Sequence, residues 1–295
     1  MFENFSALKN YALSKTPKTI AVAAAEDVHS LEAIRDAVSK LRINYKLVGD
    51  FQKIVQISKE IGFDVDTEAI VPTDSDEQAA IKAVALIREN SAEVLMKGKL
   101  QTSTLLKAVL SKESGICSGG LLSHLAVLEV PTYPKLMFIT DGGMNISPDL
   151  TQKKEIVDNS VNFLKKIGYN CPYVAALAAV ETVNDKMPET LDAHELVLMN
   201  KKGDIKDCLI EGPLSFDLAL SPESAAIKGF DSKVSGEVDL FLVPNISTGN
   251  IMSKALIYLA RAKMAGCILG ASAPIVLVSR GASAEEKLLS ILLTL

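Results

Sequence analysis

The chain has 295 residues, with 31 Lys and Arg against 36 Asp and Glu for a formal charge of −5, and 48% of it is hydrophobic. That length holds two domains or one large α/β unit, and the apolar share supplies a sizeable core and excludes a disordered chain. The acidic balance excludes general nucleic-acid binding, which needs a basic stripe to displace counterions, but leaves room for a local cationic pocket.

Residues 19–24 (TIAVAA) read as a buried strand, and Leu31, Ile34, Val38 and Leu41 then recur at helical spacing. A second strand is expected over 44–48, and Gly49-Asp50 opens a helix over 51–61. A short strand over 69–71 stops at Pro72, and Asp74 or Ser75 caps a helix running to residue 90, with Asp76 and Glu77 in its first turn. Residues 93–96 form a fourth strand, and 103–110 a helix. Strand and helix alternating at this pitch need crossover connections, hence a parallel sheet covered on both faces. The pattern changes at 121–130 and 135–140, two strand-like runs joined by Pro131-Thr132-Tyr133-Pro134. Four residues cannot make a parallel crossover, so this pair is expected to be antiparallel, with a domain boundary beside it. Alternation resumes with helices at 150–167, 188–199 and 251–264, strands at 174–177, 205–210, 238–243, 267–269 and 275–278, and a terminal helix at 283–293.

Cys117, Cys171, Cys208 and Cys267 form no CxxC pair, which excludes a zinc ribbon and makes a disulfide framework unexpected. The opening MFENFSALKN lacks a basic segment followed by an apolar one, and no run of about 18 apolar residues is present. A reduced, cytoplasmic protein without a membrane partner is expected. The first strand ends in Ala24-Ala25-Glu26-Asp27 rather than GxGxxG, Lys97-Gly98-Lys99 lacks the upstream glycine of a P-loop, and His194-Glu195 has no second His for a zincin site. No GxSxG elbow exists, and His29, His124 and His194 read as structural.

Three loops do carry chemistry at junctions from strand to helix. Val278-Ser279-Arg280-Gly281-Ala282-Ser283 joins a strand to the last helix, where free N–H groups attract anions and Arg280 adds a planar bidentate donor. Residues 243–250, with Asn245, Thr248, Gly249 and Asn250, have the composition of both a cap and a phosphate nest, while Lys254 one turn on reads as an exposed charge. In residues 139–148 the pair Gly142-Gly143 lets the backbone approach a ligand or a neighbouring strand closely.

Taken in order, FITDGGMNISPDL (138–150), AAVETVNDKMPETLDA (178–193), EGPLSFDLALS (211–221), KGFDSKVSGEVDLFLVPNISTGN (228–250) and PIVLVSRGAS (274–283) resemble the phosphate acetyltransferase and phosphate butyryltransferase family. SHLAVLEVP (123–131) and MKGKLQTSTLLKAVL (96–110) add to the likeness, and length with the AAVETVNDKMPET segment favours the butyryl branch. The resemblance implies two three-layer α/β/α lobes of the isocitrate and isopropylmalate dehydrogenase type with an interdomain cleft: residues 1–132 with 273–295, and residues 133–272. It implies reversible transfer of a short-chain acyl group, butyryl favoured over acetyl, between coenzyme A and inorganic phosphate, with no metal or other cofactor and a homo-oligomeric state. The apolar terminal helix either takes part in that association or packs on its own lobe.

By the same resemblance Arg280 holds the phosphoryl group and Ser279 donates to charge developing on the carbonyl oxygen; such donors are worth about 3–4 kcal/mol in a dry site. Gly281, Ser283, Asn245, Thr248, Gly249 and Asn250 join the substrate-binding set. Lys107 matches a basic family position, ahead of Lys97 and Lys99. A family aspartate proposed as base for the thiol falls at Glu286, beside Glu285, and both glutamates also suit a helix N-terminus. Two other classes compete. An isocitrate-dehydrogenase-like oxidoreductase needs paired aspartates on a divalent metal, which Asp141 and Asp149 do not form. A non-catalytic acyl-CoA-binding protein would bind without turnover, and the intact Ser279-Arg280 turn weighs against it.

Overall fold

The structure, a computed structural model, describes residues 1–117, 119–277 and 283–295. The chain divides into two compact units: a first of Phe5–Gly120 with Ala265–Leu295, and a second of Met1–Asn4 with Leu121–Met264.

In the first unit, helix α1 (Phe5–Leu13) precedes β1 (Thr19–Ala23), α2 (Val28–Leu41), β2 (Asn44–Gly49), α3 (Phe51–Glu60), β3 (Ile70–Pro72), α4 (Asp76–Arg88), β4 (Val94–Lys97) and α5 (Thr102–Val109). Helix starts follow the capping residues: Asp27, Asp50 and Ser75 accept from the backbone N–H of Ser30, Lys53 and Gln78. The chain winds from β1 outward to β2 and β3, then returns to pair β4 on the other side of β1, all in parallel. The gap between β1 and β4 is therefore a topological switch point, where open α/β sheets take ligands.

The second unit opens with β5 (Ser123–Glu129) and β6 (Met137–Thr140), which pair antiparallel as their short joint demands. Then follow α6 (Leu150–Lys166), β7 (Tyr173–Leu177), α7 (Pro188–Lys202), β8 (Leu209–Leu214), α8 (Phe216–Leu220), α9 (Pro222–Ile227), β9 (Leu240–Leu242) and α10 (Ile246–Leu259). Its strands lie in the order β5-β6-β9-β7-β8, with β6, β9, β7 and β8 parallel. The core between sheet and helices is built around Phe241, whose ring meets Tyr133 and Phe216 edge-on. A buried ion pair, Lys135 to Asp239 at 2.7 Å, ties the start of β6 to the start of β9.

The chain returns to the first unit through β10 (Lys263–Leu269), β11 (Ile275–Val276) and α11 (Ala284–Leu293). Strand β11 pairs parallel with β4 and antiparallel with β10. Ile291, Leu292 and Leu293 are buried where α11 packs on α1 and α2, so the apolar face of the terminal helix is occupied within its own unit.

Several expected positions move. The units divide at Gly120/Leu121 and Met264/Ala265, where 132/133 and 272/273 were expected; the β5–β6 hairpin stays whole within one unit. The strand expected at 205–210 runs over Leu209–Leu214. The Asn200 side chain occupies the backbone of the expected segment, donating to the Ile205 and Cys208 carbonyls and accepting from the Ile210 N–H, and Asp207 is left-handed at φ 63°. The helix expected at 251–264 starts five residues earlier at Ile246, on the Asn245 cap, and Met264 belongs to β10.

Candidate functional site

The parallel strands of each unit deliver their loops to one edge, and of the described residues nominated from the sequence, Asn245, Thr248, Gly249 and Asn250 follow the end of β9 and Ser283, Glu285 and Glu286 open α11. In the second unit, β6 and β9 end side by side, with the Val243 N–H donating to the Thr140 carbonyl at 2.8 Å. This register brings the 139–148 and 243–250 loops together. Gly142 and Gly249 touch backbone to backbone: a Cβ at Gly249 would lie 2.6 Å from the Gly142 Cα, and one at Gly142 would lie 2.8 Å from the Gly249 carbonyl carbon. Each glycine is thus required by the close approach of the other.

Asp141 is buried and its carboxylate organises its loop. Oδ1 accepts from the N–H groups of Gly143 at 3.0 Å and Met144 at 2.8 Å, and Oδ2 from the Asn145 N–H at 3.3 Å and its Nδ2 at 2.6 Å. Asp149 caps α6 in a reciprocal capping box with Gln152. Both aspartates make these hydrogen bonds inside their own loops. Among the described residues no group of three or more His, Cys, Asp or Glu is placed to hold a metal ion.

Asn245 caps α10, accepting from the Thr248 N–H at 3.0 Å and pairing with its hydroxyl at 3.1 Å. Thr248 and Asn250 are exposed. Of the two readings open for this segment, cap or nest, the geometry displays a cap.

Further along the same edge lies a cluster that the sequence reading left without a role. Ser215 donates to Glu181, and Lys228 bridges Glu181 at 3.1 Å and Asp217 at 3.0 Å. The Ser215 hydroxyl first, and Lys228 after it, hold the Glu181 carboxyl below the usual carboxylate range. The three family-like segments 178–193, 211–221 and 228–250 meet here, which was the available signal.

In the first unit, Ser279, Arg280 and Gly281 lie outside the described residues, as do Ser118, Val278 and Ala282. Ser283 caps α11 by accepting from the Glu286 N–H at 3.1 Å. Glu286 is half-buried and desolvation raises its pKa above the ordinary 4.5, whereas Glu285 is exposed. Lys107 is exposed on α5 and lines a groove of about 370 Å³ against α4, with Glu77, Ile81, Ser103 and Thr104. Lys97 turns back on the Gly98 and Leu100 carbonyls of the loop after β4 at 3.1 Å each. At the switch point Gly98 fits under Ala24, where a Cβ would come within 2.1 Å of the Ala24 carbonyl oxygen. Glu26 stands beside it with Oε2 buried and unpartnered among the described residues, over the space left by Gly49.

A family profile described as phosphate acetyl/butaryl transferase matches residues 68–295. A phosphate butyryltransferase of Clostridium acetobutylicum is 44% identical over 293 residues, covering 99% of this chain and 97% of that protein. A phosphate acetyltransferase of Thermotoga maritima is 38% identical over 277 residues, covering 94% of each. Among solved structures, a branched-chain phosphotransacylase from Enterococcus faecalis V583 superposes with a TM-score of 0.81 at 32% identity, covering 94% of this chain and 97% of that one.

Proposed function

The chain belongs to the phosphate acetyl/butaryl transferase family, and we propose that it transfers a butyryl group reversibly between coenzyme A and inorganic phosphate. The observation that carries this reading is the near-full-length likeness to a phosphate butyryltransferase. An acetyl-specific activity is not better supported, the acetyl relative being the less identical of the two.

In the direction of thioester synthesis, the CoA thiol loses its proton to a carboxylate, and the thiolate attacks the acyl phosphate carbonyl. The C–S bond forms, the bond from carbon to the phosphate oxygen breaks, and phosphate leaves. Arg280 holds the phosphoryl group, for which a guanidinium has matching geometry, and Ser279 donates to the carbonyl oxygen as it gains charge. Glu286 is the base of choice over Glu285: burial lifts its proton affinity toward the range where a carboxylate accepts a proton from a thiol efficiently. Lys107 and its groove take an anionic part of the CoA carrier. Self-association uses the outward face of α10, where Ile251, Tyr258 and Leu259 are exposed, and sedimentation velocity measures it.

The deciding experiment is Arg280→Ala. Phosphate-dependent release of CoA from butyryl-CoA should fall by orders of magnitude with the fold intact, and near-normal turnover would overturn the assignment. Chain length is read from kcat/KM for acetyl-, propionyl-, butyryl- and valeryl-CoA. Two extra buried methylenes offer about 1.6 kcal/mol, or roughly fifteen-fold, in favour of butyryl; acetyl fastest would replace the butyryl reading.

A further inference from the structure

We propose that Lys287 is a further substrate-binding residue of the first unit, its ammonium taking phosphate at the start of α11. This rests on the acyl-transfer reading above, which makes inorganic phosphate a substrate. The position is an unusual one for a lysine. Residues 287, 290, 291 and 294 follow the spacing of one helix face, and Lys287, Ser290, Ile291 and Thr294 are all buried. The Ser290 hydroxyl accepts from the Gly266 N–H of β10 at 3.0 Å, so this face lies against the sheet. A lysine thus opens a stripe packed inside its own unit, and only 8% of it is exposed.

The other buried lysines show what such a charge ordinarily requires. Lys135 holds Asp239 at 2.7 Å and Lys153 holds Asp192 at 2.6 Å. The Lys287 ammonium has no hydrogen-bond or ion-pair partner among the described residues. A buried charge without a partner is costly, and a ligand of opposite charge is the partner that would complete it. Nor is the ammonium sealed. The buried, unpartnered side-chain atoms among the described residues are Glu26 Oε2, Ser58 Oγ and His124 Nδ1, so the Lys287 stem is covered while Nζ keeps access to solvent.

Helix geometry gives the direction. Side chains on a helix lean toward its N-terminus, which carries the Lys287 stem back over the first turn of α11. Four residues of rise, about 6 Å, separate residue 287 from the Ser283 cap, and a four-carbon stem spans about that length. Helix α11 follows β11, which runs parallel to β4, so its first turn stands at the carboxyl end of those strands, where open α/β sheets hold ligands. An anion there meets the positive end of the helix dipole and the ammonium together. Glu285 and Glu286 also open this helix, so with Arg280 as its one cation the segment 279–286 carries a formal charge of −1, and Lys287 brings it to zero. A phosphate dianion approaching two carboxylates needs that second cation. The small opening over Nζ suits a single tetrahedral anion rather than the diphosphate of a large carrier.

The test compares Lys287→Met and Lys287→Arg with the wild type in phosphate-dependent release of CoA from butyryl-CoA. Met keeps the buried stem and removes the charge; Arg keeps the charge. Loss of one charge-assisted contact predicts a KM for phosphate about tenfold or more higher in the Met variant, with KM for butyryl-CoA within about threefold. The Arg variant should have a KM for phosphate at least about threefold below that of Met. The Met variant should melt no lower than the wild type, since it removes an unpaired buried charge. A KM for phosphate within about threefold of the wild type in the Met variant, an equal rise in KM for butyryl-CoA, or an Arg variant no better than Met would overturn the assignment. A Met variant melting well below the wild type would give Lys287 a packing role instead. A wild-type protein without this activity would sink the acyl-transfer reading, and the role of Lys287 with it.

Discussion

At the carboxyl ends of the second unit's strands, polar groups are turned on one another. The Asp141 carboxylate collects four hydrogen bonds from its own loop, Asn245 takes both the N–H and the hydroxyl of Thr248, and Lys228 ties Glu181 to Asp217. At the corresponding ends of the first unit's strands, the described residues include groups of another kind. The buried Oε2 of Glu26 has no partner among the described residues and Glu286 is lifted by desolvation, while Lys107, away from these ends in the last turn of α5, stands exposed over a groove. Loops of similar composition therefore serve opposite ends. A loop whose donors and acceptors already satisfy each other is scaffold, and a buried group left unpaired waits on something from outside. By that criterion, among the described residues, the second unit presents His124 and the first presents Glu26 and Ser58.

The largest effect expected on the scaffold side is at Asp141. Replacing it with Ala strands three backbone N–H groups and the Asn145 amide, all of which now meet a charged acceptor. Hydrogen bonds to charged groups are worth about 1.5–3 kcal/mol each, and with partial relaxation of the loop the loss should reach about 3 kcal/mol or more in urea unfolding. Asp141→Asn keeps one acceptor oxygen and should lose about half as much. A variant within about 1 kcal/mol of the wild type would mean that the loop holds its shape without this carboxylate, and the contrast between the units would weaken.

Much of the fold was legible because periodicity reports burial directly. The alternation of β-branched runs and 3.6-residue repeats located β1 to β4 and their helices, and the four-residue joint at Pro131 implied the antiparallel pair found at β5 and β6. What stayed hidden depended on partners distant in sequence. The β8 strand passes through Gly212-Pro213, a pair that reads as a turn, while Asn200 withdraws the more strand-like residues before it from pairing. Small helices α8 and α9 have too few turns to show a periodic face. In the candidate site, the composition of residues 243–250 serves a cap and an anion nest equally well, and only the contact of Gly249 with Gly142 assigns the glycines. Lys287 was invisible for a similar reason: one lysine after two glutamates reads as solvated until the stripe through Ser290 shows which face carries it.

Asn245 gives a smaller but sharper test of scaffold against ligand site. As a cap it should tolerate Asp, which accepts from the same N–H, while Ala should cost about 0.5–2 kcal/mol. If the side chain instead met phosphate, the added charge of Asn245→Asp would raise KM for phosphate by about tenfold or more at unchanged stability. The expected result is a stability loss in Ala alone, with KM for phosphate steady in both variants. The opposite pattern would move the 243–250 loop from scaffold to binding site and erase the distinction between the two edges.

The subtlest effect belongs to Glu286, where the first unit's edge makes a claim about pH. Desolvation is the leading influence there and raises the carboxyl above its ordinary 4.5, while the Ser283 contact and Lys287 pull the other way. A raised acid means that the native state binds the proton more tightly than the unfolded chain does, so its contribution to stability is complete below the unfolded value. That contribution fades as pH climbs through the raised native value. Glu286→Gln removes the titration. The variant should match the wild type near pH 4, gain on it as pH rises past 4.5, and hold a constant small advantage in melting temperature once Glu286 is ionised in both states. If Glu286 is also the base, the Gln variant that is the more stable above neutrality is the slower one in acylating the CoA thiol, and Glu285→Gln stays fast. Stability and rate moving in opposite directions at one residue is the signature of a group held unfavourably for the sake of chemistry. A Gln variant that gains nothing with pH and acylates at the wild-type rate would place Glu286 with the paired, structural groups of the other unit.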